Sequence, residues 1–213
     1  MIKQHKGKAI VSSLLILLPM AAGLLFWNDL PEKMATHWGI GGAADGWTSR
    51  PFAVFGLPLF ILAIHWLCLG FTSMDKKNKG TNKKALSLVF WLCPVISLFG
   101  NGAIYASAFG WAFRMDALAP LLLGLLFLVI GNYLPKVSQN HTLGIRIKWT
   151  LENEENWNAT HRFAGRVWVI GGLLMMVCIF LPTAALPFAL FILLSLLVLV
   201  PVIYSYRYYK THA

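Results

Sequence analysis

Charge is what this chain has least of. Only 12% of its 213 residues are charged, and Asp and Glu together number 8. A soluble domain carries about a quarter charged residues, so a water-facing surface over the whole chain is excluded. Cysteine is scarce as well: Cys68, Cys93 and Cys178 share no short spacing. That argues against a disulfide framework or a thiolate metal set and leaves free thiols inside apolar runs. No His-x-x-x-His pair exists to build a helical metal site, and the ten-residue alternation of a transmembrane barrel is missing.

What the chain does have is apolar length. Hydrophobic residues make up 58%, and they gather in six runs. The runs are approximately Ala9–Trp27, Phe52–Phe71, Ala85–Phe109, Leu118–Leu134, Gly165–Leu181 and Phe188–Tyr206. Each is long enough as a helix to span roughly 30 Å of hydrocarbon. Backbone groups in lipid must be satisfied within the segment, so each run is expected to be helical. The expected fold is therefore an all-α polytopic membrane protein, one six-helix domain over residues 1–213. Lys3, Lys6 and Lys8 before the first run resemble the start of a secretory signal. The apolar stretch continues through Leu24–Trp27, however, and a retained helix is expected.

The cations are sorted along the chain. Fifteen Lys and Arg lie before the first run, after the second, from the end of the fourth through the start of the fifth, and in the tail, whereas only Lys33, Arg50 and Arg114 lie in the alternate connections. The positive-inside rule puts both the N- and C-termini in the cytoplasm. It also accounts for the net charge of +10 without nucleic acid, because basic loops beside helices orient the chain and meet anionic lipid. Trp27 and Trp111 fall at the expected outer boundary, and Tyr204, Tyr206, Tyr208 and Tyr209 at the inner one, where amphipathic rings favour the headgroup layer. Inside the runs, His65, Asn101 and Asn132 need partners, and bonds between helices are the expectation.

Two connections are long enough to do more than connect: an extracellular loop over residues 28–51 and a cytoplasmic loop over residues 135–164. The stretch Thr72–Lys84 reads as a solvated, orienting tether. The outer loop contains THWGIGGAADGWTSRP, Thr36–Pro51. Its glycines lack the spacing of a dinucleotide fingerprint. His37 and Asp45, with Asp29 and Glu32 nearby, do not complete a metal set. The residues fit a compact, turn-rich loop in which Asp45-Gly46 is a turn pair and Trp38 and Trp47 supply aromatic mass. Such a loop is either a structural cap or an exposed recognition surface carrying His37, Trp38, Gly42, Asp45 and Trp47.

The inner loop is expected to be helical from Thr150 as its N-cap, with Glu152, Glu154 and Glu155 in the first turns, where the helix dipole favours negative charge. Trp157, Thr160, His161 and Ala164 have the spacing of one face, so a short amphipathic helix lying along the inner membrane surface is expected. Glu154 or Glu155 near His161 raises acid–base chemistry, but no nucleophile or complete metal set accompanies them. Asn140-His141-Thr142 and Asn158-Ala159-Thr160 match a glycosylation acceptor pattern that a cytoplasmic loop would not use.

Gly131-Asn132-Tyr133-Leu134-Pro135-Lys136, Gly144-Ile145-Arg146, Trp149-Thr150-Leu151, Trp157 and Thr160-His161-Arg162 together resemble the SdpI family of bacterial immunity proteins. Pro31, His37-Trp38, Gly42, Asp45-Gly46 and Pro51 resemble the domain of unknown function often found at the front of that family. Ile147-Lys148 stands where the family usually has Thr-Pro, and Gly39 where Asn commonly follows His-Trp. The resemblance implies a multi-pass protein of the bacterial cytoplasmic membrane that gives resistance to a secreted peptide toxin. It also implies a receptor role, in which the inner loop holds a small DNA-binding repressor at the membrane. The expected partners are thus membrane lipid, an extracellular toxin and a cytoplasmic repressor, with no catalytic residue, metal, cofactor or direct nucleic-acid contact. The alternative is a metal-dependent membrane enzyme or small transporter centred on His37/Asp45 or Glu155/His161.

Overall fold

The computed structural model describes residues 2–39, 41–111 and 114–212. Among them are six helices long and apolar enough to cross a membrane: Lys6–Leu25, Phe52–Met74, Lys83–Ala108, Met115–Lys136, Glu154–Phe180 and Leu186–His212. Their outward faces carry leucine and phenylalanine, such as Leu14, Phe60, Phe71, Phe188 and Phe191. An apolar exterior of this kind belongs in lipid. The chain forms two compact units, Met1–Phe71 with Leu88–Asp116, and Thr72–Ser87 with Ala117–Ala213.

The first unit contains α1 (Lys6–Leu25), a hairpin of β1 (Lys33–Trp38) and β2 (Ala44–Ser49), most of α2 (Leu57–Met74) and most of α3 (Lys83–Ala108). A π-helical turn over Phe52–Gly56 leads into α2, with the Leu57 N–H reaching back to the Phe52 carbonyl. Pro58 has no N–H to give to the preceding turn, which is a reason for the wider winding there. Polar side chains are served inside this unit. Ser12 Oγ lies 2.9 Å from His65 Nε2, joining α1 to α2, and Ser97 Oγ donates to the Ile16 carbonyl at 2.9 Å. Tyr105 donates to the Pro19 carbonyl at 2.7 Å. Asn101 instead bonds within its own helix, to the Ser97 carbonyl at 2.9 Å. Gly23 makes the close approach possible, because a Cβ there would meet Tyr105 Oη and Val54 Cγ1, both at 2.6 Å.

The hairpin is a difference from the expected turn-rich loop. Its antiparallel register pairs Met34 with Thr48, Ala35 with Trp47, His37 with Gly46 and Trp38 with Ala44, and is irregular on both sides of His37. Within the reversal Gly41 (φ 103°) and Gly42 (φ 75°) take the left-handed backbone, and the Gly39 N–H donates to the Ala43 carbonyl at 2.9 Å. Asp45-Gly46 therefore lies in β2 and makes no turn. Met34 anchors one face in a buried cluster with Leu30, Ala53, Val54 and Ile104. Arg50 ties the hairpin base to the end of α1, donating to the Trp27 and Leu30 carbonyls at 2.7 and 2.9 Å with its guanidinium over the Trp27 ring.

The second unit contains α4 (Met115–Tyr133, from Ala117), a short helix α5 (Lys148–Glu152), α6 (Glu154–Val177) and α7 (Leu186–His212). Helices α4 and α6 cross on paired glycines. A Cβ on Gly172 would lie 2.6 Å from the Gly124 carbonyl oxygen, and one on Gly165 2.8 Å from that of Gly131. Small residues let helix backbones approach in lipid, where no hydrophobic force pushes helices together. The segment expected as a separate surface helix is the beginning of α6, which runs unbroken from Glu154. Its cap is Asn153, whose side chain accepts from the Asn156 N–H. Thr150, expected at that cap, lies within α5.

Candidate functional site

Two places hold the residues that the sequence singles out. The first is the solvent face of the hairpin. His37 Nδ1 and Asp45 Oδ1 are 2.5 Å apart, with their side chains 73% and 51% exposed. A carboxylate only accepts, so Nδ1 carries the donated proton. Glycines make this pair possible. A Cβ on Gly46 would meet the His37 Cβ at 2.9 Å, and one on Gly39 would meet Asp45 Oδ2 at 2.5 Å. Trp47 is exposed two residues beyond Asp45, so strand alternation puts both on this face. Trp38 turns the other way and packs on the Leu30–Met34 cluster. Gly42 lies in the reversal, its Cβ direction 3.2 Å from the Asp116 backbone nitrogen. Exposed ion pairs add little to stability, so the His37, Asp45 and Trp47 face is polar and aromatic surface that the core does not require.

The second place is the loop between α4 and α6, which is a folded knot. Trp157 is fully buried, donates its indole N–H to the Val137 carbonyl at 2.7 Å, and packs with Ala85, Leu143 and Leu151. His161 stacks on Trp157 at 4.0 Å between ring centroids. The partners of His161 fix its tautomer: the Trp157 carbonyl, 2.8 Å from Nδ1, can only accept, and the Ile145 N–H donates to Nε2 at 3.0 Å. Both ring nitrogens are thereby occupied, and Glu155 is exposed while His161 is buried. The pair has no geometry for acid–base work or for ligating a metal. Among the described residues no three His, Cys, Asp or Glu side chains converge.

Gly144 has a φ of 102°, and a Cβ there would run into His161 Nε2 and the Trp157 ring. Thr150 closes the same turn, its hydroxyl 2.7 Å from the Ile145 carbonyl and receiving the Ile147 N–H at 3.1 Å. Thr160 donates to Asn156 Oδ1 at 2.8 Å, and Ser205 of α7 donates to the same oxygen at 2.9 Å. Trp149 lies against Tyr206 and Tyr209 of α7. Arg146 is exposed and donates to the His141 carbonyl at 2.6 Å. Asn132, Pro135 and Arg162 are elsewhere, lining a groove beside the α4–α6 crossing.

Sequence reading missed the residues that hold the knot together. Asn140 is fully buried; its amide donates to the Ser138 and Leu143 carbonyls at 2.7 and 3.1 Å, and its oxygen receives the Thr142 and Leu143 N–H groups at 2.7 and 2.6 Å. Asn-x-Thr there is a turn device, and its local side-chain bonds to the backbone are the available signal. Asn156, Gln139 and Ser205 gave no spacing signal. Asp75 reaches the loop from the Thr72–Lys84 tether, accepting from the His141 N–H at 2.7 Å and the Lys77 N–H at 3.0 Å. The tether is therefore docked on the knot. Burial alone pushes the Asp75 carboxyl up, but the His141 and Lys77 N–H groups, the His141 ring charge and the Thr142 hydroxyl hold it below its usual value near 3.8. A carboxyl depressed by folding contributes fully above its unfolded value and loses that contribution as pH falls through the folded one. Amide-exchange protection at residues 141–143 should accordingly drop below about pH 4. Asp75→Asn should abolish that acid step, and protection that stays flat between pH 6 and 3 in the unsubstituted protein would contradict the assignment.

Six apolar helices, with a hairpin on one connection and a hydrogen-bonded knot on another, define a multi-pass helical membrane protein. Residues 136–205 match the SdpI/YfhL protein family, and residues 14–62 match a domain of unknown function, DUF1648. Each match covers part of the chain, with the region similar to DUF1648 ahead of the region similar to the SdpI/YfhL family. It is 26% identical over 203 residues to the immunity protein SdpI of Bacillus subtilis (strain 168), covering 95% of this chain and 96% of that protein. That relative is named as an immunity protein. No solved structure matches the chain. The DUF1648 match contains the hairpin, and the SdpI/YfhL match runs from the start of the knot to Ser205.

Proposed function

We propose that this protein gives a bacterium resistance to a secreted peptide toxin, acting by binding and without a chemical step. The observation that carries the reading is the alignment over nearly the whole of both chains with a protein named as an immunity protein. The toxin-facing surface is the hairpin face with His37, Asp45 and Trp47, and the charge distribution supports an extracellular hairpin and cytoplasmic termini. A histidine–carboxylate pair beside an exposed indole offers hydrogen bonding and an aromatic anchor, and tryptophan is among the residues enriched at binding hot spots. The receptor role falls to the knot's outer surface. Buried Trp157, Thr160 and His161 shape the loop, while exposed Arg146 and Lys148 are the side chains offered to a cytoplasmic repressor.

The test is expression in a toxin-sensitive bacterium challenged with secreted peptide toxins. Survival is expected, and it should be lost in a His37→Ala, Asp45→Ala, Trp47→Ala variant that still reaches the membrane in normal amount. Arg146→Ala with Lys148→Ala should keep survival and lose repressor recruitment to the membrane. Killing that is unchanged by the protein would sink the resistance reading, and joint loss of survival and recruitment in the arginine–lysine variant would sink the division of labour.

A further inference from the structure

Beside the α4–α6 crossing lies an open groove of about 540 Å³. Its lining includes Gly131 and Gly165, the glycines that bring the two backbones together. Three polar side chains line it as well: Asn132 from α4, and Arg162 and Arg166 one turn apart on α6. All three are exposed, and none has a hydrogen-bond or carboxylate partner among the described residues. Further along α6 the wall becomes apolar, with Val169 and Ile170.

This is an unusual place for two unpaired guanidinium groups. Like charges four residues apart on a helix repel one another, and both lie on a helix long and apolar enough to cross a membrane. An anion between them removes the repulsion. The guanidinium fork matches a phosphate geometrically, and an asparagine amide adds a donor from the facing helix. A cationic mouth continuing into an apolar wall is complementary to a molecule with an anionic head and a hydrocarbon tail. The apolar part of the lining, Val169 and Ile170, lies on a helix apolar enough to cross a membrane, so an occupant with a hydrocarbon tail would arrive from the bilayer.

We infer that this groove is a binding site for an anionic phospholipid, with its phosphodiester held by Arg162, Arg166 and Asn132 and an acyl chain lying along Val169 and Ile170. The site belongs to this chain's own helices and is independent of the toxin and repressor readings. It also assigns Arg162 to lipid rather than to the cytoplasmic surface of the knot.

Native mass spectrometry of the full chain in detergent tests it, with phosphatidylglycerol and phosphatidylcholine as probes. Phosphatidylglycerol should be retained in preference to phosphatidylcholine. Arg162→Gln with Arg166→Gln should weaken that retention by roughly twenty-five-fold, from about one factor of five for each cation facing an anionic headgroup. Lysine at both positions should leave an intermediate affinity, because the charge remains while the bidentate fork is lost. Arg207→Gln with Lys210→Gln removes the same charge from the exposed tail and should leave retention unchanged. An equal loss in that tail variant would mean a general charge effect and would overturn the site. Retention unaffected by the groove substitutions would also overturn it, as would displacement of the lipid by millimolar inorganic phosphate, which would make the ligand a free anion. A dimer that forms through this face and excludes lipid would replace the lipid by a second copy.

Discussion

Trp157→Ala should lower the thermal midpoint of the detergent-solubilised protein by roughly 10 °C. The indole is fully buried, and replacing a buried tryptophan by alanine costs about 3–5 kcal/mol in lost transfer energy and cavity. For a chain of this size each kcal/mol moves the midpoint by about 2–4 °C. Two further losses add to this. The Val137 carbonyl loses its 2.7 Å donor, and His161 loses the ring it stacks on, so the imidazole that receives the Ile145 N–H is no longer held. Trp157→Phe separates these contributions. It keeps the apolar bulk and the stacking surface but leaves the carbonyl unserved, and should cost about 1–3 kcal/mol. A matching fall for both variants would mean that the hydrogen bond dominates; no fall for alanine would mean that the knot is not part of the cooperative fold. The same reasoning makes Gly144→Ala harmful despite its small added volume. Its Cβ points at His161 and Trp157, and the left-handed backbone at that position is costly for any residue with a side chain.

The six spans were legible because lipid demands long, uninterrupted apolar helix, and few other structures satisfy that demand. The boundaries were less legible where a helix leaves lipid without ending. Glu154, Glu155, Arg162 and Arg166 make the first part of α6 too polar to read as a span, so the expectation broke the helix near Gly165. The face of Trp157, Thr160, His161 and Ala164 was read correctly as one face, but what covers it is the chain's own loop. The hairpin was hidden for a different reason. Its strands are six residues each and irregular around His37, and Asp45-Gly46 gave a turn signal at a position the glycine needs for room beside His37. Of the named site residues, Gly144, Thr150, Trp157 and His161 converge in space. Asn140 and Asn156 carry as many bonds as any of them. They escaped notice because a buried asparagine earns its place by geometry that no periodicity encodes.

Gly172→Leu should be the most damaging single change to the helical framework. A Cβ at Gly172 would stand 2.6 Å from the Gly124 carbonyl oxygen and 2.7 Å from the Leu128 nitrogen. Both are backbone atoms inside α4, so no side-chain rotation relieves the contact. The two helices must separate, and separation opens the whole crossing down to Gly131 and Gly165, where the spacing is as tight. Overpacking costs typically about 1–3 kcal/mol when side chains absorb it. Here the cost should exceed that range, seen as aggregated or unfolded protein by size-exclusion chromatography in detergent. Gly100→Leu is the control, because nothing lies within 4 Å of a Cβ at that helical glycine. Alanine at the paired positions gives the more searching measurement. Gly124→Ala and Gly172→Ala each push the same two backbones apart, and the displacement forced by one accommodates much of the other. The double variant should therefore lose less stability than the two single losses combined, with an interaction energy of about 0.5–3 kcal/mol. Strict additivity would mean that the two glycines do not share one crossing, and a Gly172→Leu protein as stable as the Gly100→Leu control would remove the glycine contact from the fold altogether.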